Sequence, residues 1–353
     1  MSSPLILARP DLLDLEPYQH AAWEPALVRL HANENPWRPP GDNSAAGLNR
    51  YPEPQPARLI ERLAALYEVG LERLLVGRGS DEAIDLLVRG FCRAGRDGVL
   101  VLPPTFGMYK VAARIQGANV HELVLTAAQG FAPTAQAVLA RWRADIKLVF
   151  LCSPNNPTGN MYEEEIVLEL ARKLVDKALV VVDEAYLEFA HRPSLSRYQA
   201  GLPNLVVLRT LSKAFALAGA RCGSVIADPE IIGLLRRIIS PYAIPSATIE
   251  IVEHALSPPQ LIQARARVEA LIVERERLAR ALTTIGSVRR VYPSKANFLL
   301  VEFTNARRAF EASRAAGLLV RDVSSQPGLE ACLRISIGLP EQNDRLLKAL
   351  EQA

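Results

Sequence analysis

At 353 residues the chain is long enough for one large domain and a smaller companion with a sizeable core. Its 49% hydrophobic and 22% charged residues are the balance of an ordinary globular protein. A net charge of only +3 without a long Lys/Arg run argues against a nucleic-acid surface, and no stretch approaches the ~20 apolar residues of a membrane span.

Cys92, Cys152, Cys222 and Cys332 are scattered and read as buried thiols of a reducing compartment. The amino end has neither the basic region nor the long apolar core of a secretory signal, so a cytoplasmic protein is expected. The five histidines show no metal-ligand spacing, and no metal is expected.

Residues 1–40 contain Pro17, Pro25, Pro36, Pro39 and Pro40 and should form an extended or turned arm. Its apolar residues, Leu5, Ile6, Leu7, Leu12, Leu13 and Trp23, need a surface, which a homodimer would supply. A helix follows with Leu59, Leu63, Leu66 and Tyr67 at helical spacing, then a strand at Leu74–Val76. The turn Gly77-Arg-Gly-Ser-Asp-Glu82 leads into a helix carrying Ile84, Leu87, Val88 and Phe91. With Ser80 as cap, its free backbone N–H groups suit a phosphate. A dinucleotide fingerprint would need glycine near position 82, where Glu82 stands, so that reading is disfavoured.

Strands are then expected at Val99–Leu102, Val120–Leu125, Ile146–Cys152, Leu179–Val182, Leu205–Leu208 and Cys222–Ala227. Helices are expected over Thr105–Gln116 and Glu163–Leu174. Such alternation indicates an α/β fold with a mainly parallel sheet covered on both faces by helices. Pro241-Tyr-Ala-Ile-Pro245 interrupts the chain. A long helix from about Leu261 to Leu282 follows, with strands at Phe298–Val301, Leu318–Val320 and Cys332–Ile337 and helices near Ala306–Ala316 and Glu341–Gln352. The expected division is an arm over 1–40, a large domain over 41–245 and a small α+β domain over 246–353.

In parallel sheets, ligands bind beyond the carboxyl ends of the strands. Three of those ends here are polar: Ser153-Pro-Asn-Asn-Pro-Thr-Gly159, Asp183-Glu-Ala-Tyr186 and Arg209-Thr-Leu-Ser-Lys213. A lysine beside hydroxyls and Arg221 suits a phosphorylated aldehyde such as pyridoxal 5'-phosphate, with the amine of Lys213 as Schiff-base nucleophile. Asp183 would face the ring nitrogen, and Asn156 and Tyr186 the phenolate oxygen. Ser80, Asp81, Thr210, Ser212 and Arg221 would surround the phosphate, and Tyr109 could stack on the ring.

These motifs resemble those of fold-type-I aminotransferases. Within them, Ala32-Asn-Glu-Asn-Pro36, Arg50-Tyr-Pro52, Gly79-Ser-Asp-Glu82, Pro103-Pro-Thr-Phe-Gly-Met-Tyr109 and Leu333-Arg-Ile-Ser-Ile-Gly338 are similar to the histidinol-phosphate aminotransferase family. The resemblance runs from Leu15-Glu-Pro-Tyr18 to the last strand. It implies a pyridoxal-phosphate enzyme that moves an amino group from histidinol phosphate to 2-oxoglutarate, with Lys213, Asp183 and Tyr186 catalytic. Glu82 joins the cofactor set through its motif. A homodimer is implied as well, with Tyr51 reaching the neighbouring subunit's cofactor phosphate. Arg334 would clamp the substrate anion with help from Arg321, and Tyr18 and Asn33 would border the pocket. The nearest alternatives keep the fold and change the substrate: an aromatic or broad-specificity aminotransferase, or a threonine-phosphate decarboxylase. Arg78 and Tyr242-Ala-Ile-Pro245 depart from the usual family pattern.

Overall fold

Short β-branched runs between amphipathic helices can bury both faces of each strand only in a sheet covered on two sides. The computed structural model, which describes residues 3–24 and 26–352, has that arrangement. Met1, Ser2, Pro25 and Ala353 lie outside the described residues, so the expectation for Pro25 in the arm does too.

In chain order the first half holds α1 (Ala57–Tyr67), β1 (Leu74–Gly77), α2 (Ser80–Phe91), β2 (Gly98–Val101), α3 (Met108–Gln116), β3 (Asn119–Glu122), α4 (Ala135–Arg141) and β4 (Ile146–Cys152). Next come α5 (Glu164–Lys173), β5 (Leu179–Asp183), β6 (Leu205–Thr210), β7 (Gly223–Ile226), α6 (Pro229–Ile238) and α7 (Ser246–Ala255). The last part is α8 (Pro258–Leu282), β8 (Val288–Val291), β9 (Phe298–Phe303), α9 (Ala306–Ala315), β10 (Arg321–Asp322), β11 (Cys332–Ser336) and α10 (Pro340–Glu351).

Seven strands form one sheet in the order β1-β7-β6-β5-β4-β2-β3. Its pairings are parallel except at β7, which runs antiparallel to both β6 and β1. Alternate residues of each strand enter opposite cores. Val149, Leu151, Val180, Val182 and Val207 pack with Leu59 and Leu63 of α1 and Val167 and Leu170 of α5. Leu148, Phe150, Val181, Val206 and Leu208 pack with Ile84 and Leu87 of α2, Ala112 of α3 and Ile231 and Leu235 of α6. Burying each large aliphatic side chain contributes ~1.5–3 kcal/mol, and this double burial anchors the strand ends.

A second, antiparallel sheet in the order β10-β11-β9-β8 packs on α8, α9 and α10 through Leu278, Leu282, Leu299, Val301, Leu333, Ile335 and Leu346. Tyr186, Phe189 and Ala214 meet Val268 of α8 and Phe298 of β9 in a separate cluster that joins the two sheets. Arg275 of α8 reinforces the join by donating to the carbonyls of Ala296 (2.9 Å) and Phe189 (3.4 Å).

Several sequence expectations need correction. The helix expected from Thr105 begins only at Met108, after its cap Gly107, and the Thr105 hydroxyl donates to Asn155 Oδ1 at 2.8 Å. Leu318–Val320 is not a strand: the Leu318 amide closes the preceding helix on the Ser313 carbonyl, and pairing starts at Arg321. Ser80 occupies the first turn of α2, whose cap is Gly79 at φ +83° with no side-chain capping bond. Helices α4, α6 and α7 and strand β8 add to the elements expected from the sequence. Part of the arm needs no second subunit, since Leu7, Ala8 and Leu12 pack into the α2/α6 core and the Arg9 amide donates to Gly90. Further along the arm, Leu27, Val28, Leu30 and Trp37 remain exposed. Among the described residues no helix is long and apolar enough to cross a membrane.

Candidate active site

Parallel pairing sets the carboxyl ends of β4, β5 and β6 side by side: Cys152 lies opposite Asp183, and Asp183 opposite Leu208. The loops beyond those ends border a cavity with about 640 Å³ of atom-free space, counting its open mouth. Asn156, Asp183, Ala185 and Tyr186 form one part of its wall. Thr210, Ser212 and Lys213 form another, and Ser80, Asp81 and Arg221 close one end. Phe106, Cys152 and Arg334 complete the lining.

The Ser80 end has the build of an anion cradle. The first N–H groups of α2 have no partner within the helix and carry the positive end of its dipole. A Cβ on Gly223 would stand 2.5 Å from the Gly79 carbonyl carbon and 2.6 Å from the Ser80 nitrogen. A Cβ on Gly79 would stand 2.7 Å from Arg221 Nη2. Two glycines therefore let the turn, the start of β7 and the guanidinium converge. Arg221 donates to Asp81 Oδ2 (3.0 Å), the Ala218 carbonyl (3.2 Å) and Ser212 Oγ (3.4 Å), while Thr210 Oγ1 donates to Ser212 Oγ at 2.9 Å. Helix terminus, guanidinium and hydroxyls together fit a phosphate monoester.

Asp183 is buried where β5 ends. Oδ1 accepts from the Ala185 amide (3.1 Å) and Oδ2 from the Tyr109 hydroxyl (2.8 Å). Burial raises its proton affinity above the ordinary carboxylate range, opposed by those two bonds and by the charge of Lys213. Lys213 is exposed to the cavity, with Nζ 5.8 Å from the Tyr186 ring centre. Desolvation lowers its pKa, aided by Arg334 and Arg221 and opposed by Asp81 and Asp183. The lysine is thereby moved toward the neutral amine that nucleophilic and proton-transfer chemistry requires.

Arg334 enters from β11 of the smaller sheet. Nη1 donates to Asn156 Oδ1 at 2.5 Å, the guanidinium lies 5.4 Å from the Phe298 ring, and Nε is buried without a protein partner. A buried, unmet donor on a half-buried guanidinium favours an anion from outside the chain. The cavity thus offers an anion cradle, a buried carboxylate, a lysine of lowered pKa and a second cation. Pyridoxal phosphate calls for these same groups: donors for its phosphate, an acid for its ring nitrogen and an amine for its aldehyde.

Ten predicted residues share this cavity: Ser80, Asp81, Asn156, Asp183, Tyr186, Thr210, Ser212, Lys213, Arg221 and Arg334. Glu82 does not; its carboxylate accepts from the Arg78 amide (2.6 Å) and Nε (2.9 Å) beneath the turn. Tyr109 cannot stack on a ligand ring from its place in the core, where it is fully buried and lies against Phe150 at 4.7 Å. Phe106 supplies the aromatic wall instead. It follows β2 at the ligand-binding rim, in the loop ahead of α3, where a helix drawn from Thr105 hides that signal. Cys152 and Ala185 also line the cavity, and neither was singled out.

Tyr51 lies outside the lining, half exposed and stacked on Tyr242 at 4.6 Å. Tyr18 is exposed with its ring edge against His20, and exposed Asn33 adopts φ +56°. Neither borders the cavity in this single chain. Arg321 pairs opposite Arg334 across β10 and β11 and points its positive charge at the same neighbourhood, but it too is exposed and outside the lining.

The family model for aminotransferase class I and II matches residues 25–350. Histidinol-phosphate aminotransferase of Stenotrophomonas maltophilia (strain R551-3) is 51% identical over 350 residues, covering 98% of this chain and 96% of its own length. The enzyme of that name from Xanthomonas euvesicatoria pv. vesicatoria (strain 85-10) is 49% identical, covering 99% and 98%. Among solved structures, histidinol-phosphate aminotransferase from Sinorhizobium meliloti in complex with pyridoxal-5'-phosphate has a TM-score of 0.77 at 25% identity, covering 86% of this chain and 82% of that one. L-threonine-O-3-phosphate decarboxylase from Porphyromonas gingivalis has a TM-score of 0.73 at 25% identity, covering 86% and 90%. With the site geometry in agreement, the chain belongs to the class I and II aminotransferases, a pyridoxal 5'-phosphate-dependent family, and within it to the histidinol-phosphate aminotransferases.

Proposed function

We propose that this chain catalyses L-histidinol phosphate + 2-oxoglutarate = 3-(imidazol-4-yl)-2-oxopropyl phosphate + L-glutamate. The observation that carries the reading is Arg334, a half-buried guanidinium whose buried Nε has no protein partner, on the Lys213 cavity. A guanidinium pairs with a phosphate monoester or a carboxylate in a forked geometry, so one group can serve both half-reactions. The half-identical relatives that bear this activity in their names support the substrate choice.

When bound, pyridoxal phosphate supplies an electrophilic carbon for amines and a ring that draws electrons from the carbon bearing the nitrogen. Ser80, Thr210, Ser212 and Arg221 would hold its phosphate. Asp183 would keep a negative charge against the ring nitrogen, and Asn156 and Tyr186 would donate toward the phenolate oxygen. Lys213 Nζ would hold the aldehyde carbon and, once displaced by the substrate amine, would be the free amine placed to take the proton from the amine-bearing substrate carbon. Arg334 holds the substrate anion and so aims that carbon at Lys213.

A homodimer with Tyr51 serving the partner's site is part of this proposal. The exposed Trp23, Leu27, Val28, Leu30, Trp37 and Tyr51 support it, because so much apolar arm surface favours a cover. Four buried free cysteines fit a reducing cytoplasm. The test is an assay of purified protein with histidinol phosphate and 2-oxoglutarate, reading glutamate. No glutamate, with turnover of phenylalanine or carbon dioxide release from threonine phosphate, would overturn the substrate assignment.

A further inference from the structure

Tyr109 stands in the protein core, where the sequence gives no reason to need a hydroxyl. Its ring is fully buried and lies nearly parallel to Phe150, at 7° and 4.7 Å. Phe106 packs edge-on against it at 5.6 Å, on the side of the cavity. Phenylalanine would fill this place equally well for packing. The hydroxyl has a buried partner: it donates to Asp183 Oδ2 at 2.8 Å.

We propose that Tyr109 is a positioning residue acting through Asp183, its hydroxyl setting the orientation and basicity of the carboxylate that meets the cofactor ring nitrogen. The inference rests on the pyridoxal-phosphate reading and deepens it. A carboxylate has about four acceptor positions. Two are taken, one on each oxygen, by the Ala185 amide and the Tyr109 hydroxyl, which together prevent rotation about the Cβ–Cγ bond. The carboxylate plane is thereby held by the backbone just past β5 on one side and by α3 on the other, and the remaining acceptor positions stay available toward the cavity.

The same bond has an electrical consequence. A hydroxyl donated to an anion stabilises the charged form, and in a buried setting that effect is large. Without it Asp183 holds a proton more firmly. The proton shared between ring nitrogen and carboxylate then shifts toward the carboxylate, and the ring loses part of its electron demand. Lys213 would face a less acidic substrate carbon although no atom near Lys213 had changed.

The test uses the full-length holoenzyme loaded with pyridoxal phosphate carrying ¹⁵N in the ring. Tyr109→Phe keeps the stack on Phe150 and removes only the oxygen. The ring-nitrogen resonance should move toward the value of unprotonated pyridine and kcat should fall about tenfold, the scale of one hydrogen bond to a charged group, with KM for the amino donor nearly unchanged. Replacing Tyr109 by 3-fluorotyrosine, a stronger donor in a native-sized ring, should move the resonance the opposite way and keeps the question answerable if the phenylalanine variant fails to fold. In an Asp183→Asn background Tyr109→Phe should add almost nothing. An unmoved resonance in both Tyr109 variants, or an equal loss of kcat with and without Asp183, would overturn the proposal. If the wild type takes up no pyridoxal phosphate, the cofactor assignment falls first, an outcome plainly different from normal uptake with an indifferent Tyr109.

Discussion

Arg334 and Asn156 stand 178 positions apart in sequence and meet at 2.5 Å, the guanidinium of the smaller sheet donating to the amide oxygen at the rim of the larger. Because Oδ1 is held by Arg334, Asn156 Nδ2 is the group left to donate toward the cofactor. The residue proposed to recognise the substrate anion therefore also orients a residue proposed to touch the cofactor.

Replacing Arg334 by lysine keeps the charge and loses the fork. KM for both histidinol phosphate and 2-oxoglutarate should rise roughly tenfold or more, since one lost charge-assisted bond is worth about 1.5–3 kcal/mol. Steady-state kinetics with each substrate varied in turn checks this. A change confined to one substrate would show that the two anions use different clamps.

Lys213→Ala removes the amine. Borohydride reduction of the wild-type holoenzyme should fix the cofactor to the peptide containing Lys213, readable by mass spectrometry, whereas the variant should retain none and show no measurable turnover. Labelling of any other lysine in the wild type would contradict the assignment.

Asp183→Asn should leave cofactor bound and slow turnover on the order of a hundredfold, because a neutral partner no longer favours the protonated ring. The apoprotein should respond oppositely. Asp183 has a folded-state pKa raised by burial, so its ionised form costs stability above that pKa, and the cost disappears as pH falls below it. Apo Asp183→Asn should therefore melt about 2 °C higher than apo wild type at neutral pH, and the gap should close in acid. Calorimetry of both apoproteins across pH reads the sign directly.

Phe106→Ala tests which aromatic side chain faces the ligand. Removing a stacking wall should weaken pyridoxal phosphate binding about five- to tenfold, seen as faster loss of cofactor on dialysis. Unaltered retention would place the ring elsewhere.

Arg209 lies behind the site, buried with Glu184 (3.4 Å) and Glu188 (2.7 Å) and 4.8 Å from the Tyr67 ring. Arg209→Met strands Glu184 as a buried charge next to Asp183 and should cost about 3–5 kcal/mol in urea denaturation near neutral pH. Burial already raises the Glu184 pKa, and losing the cation raises it further. The deficit should shrink as pH falls and Glu184 takes up its proton.

The residues by themselves determined the sheet, the cofactor chemistry and most of the site. Apolar runs such as Ile146–Cys152 can only be buried strands, and polar residues directly after them must gather at one rim when the strands are parallel. Tertiary structure alone decided which face each side chain took. Glu82 and Asp81 are adjacent in sequence, yet one turns beneath the loop to Arg78 and the other meets Arg221 at the cavity, because neighbours on a helix project about 100° apart. Tyr109, expected to stack on the ring, lies in the core while Phe106 lines the cavity, because α3 starts only at Met108 and leaves Phe106 in the loop before it. The Arg334 contact with Asn156 joins the rims of two sheets, and no local pattern encodes a distance set by the cluster of Tyr186, Val268 and Phe298 that packs those sheets together.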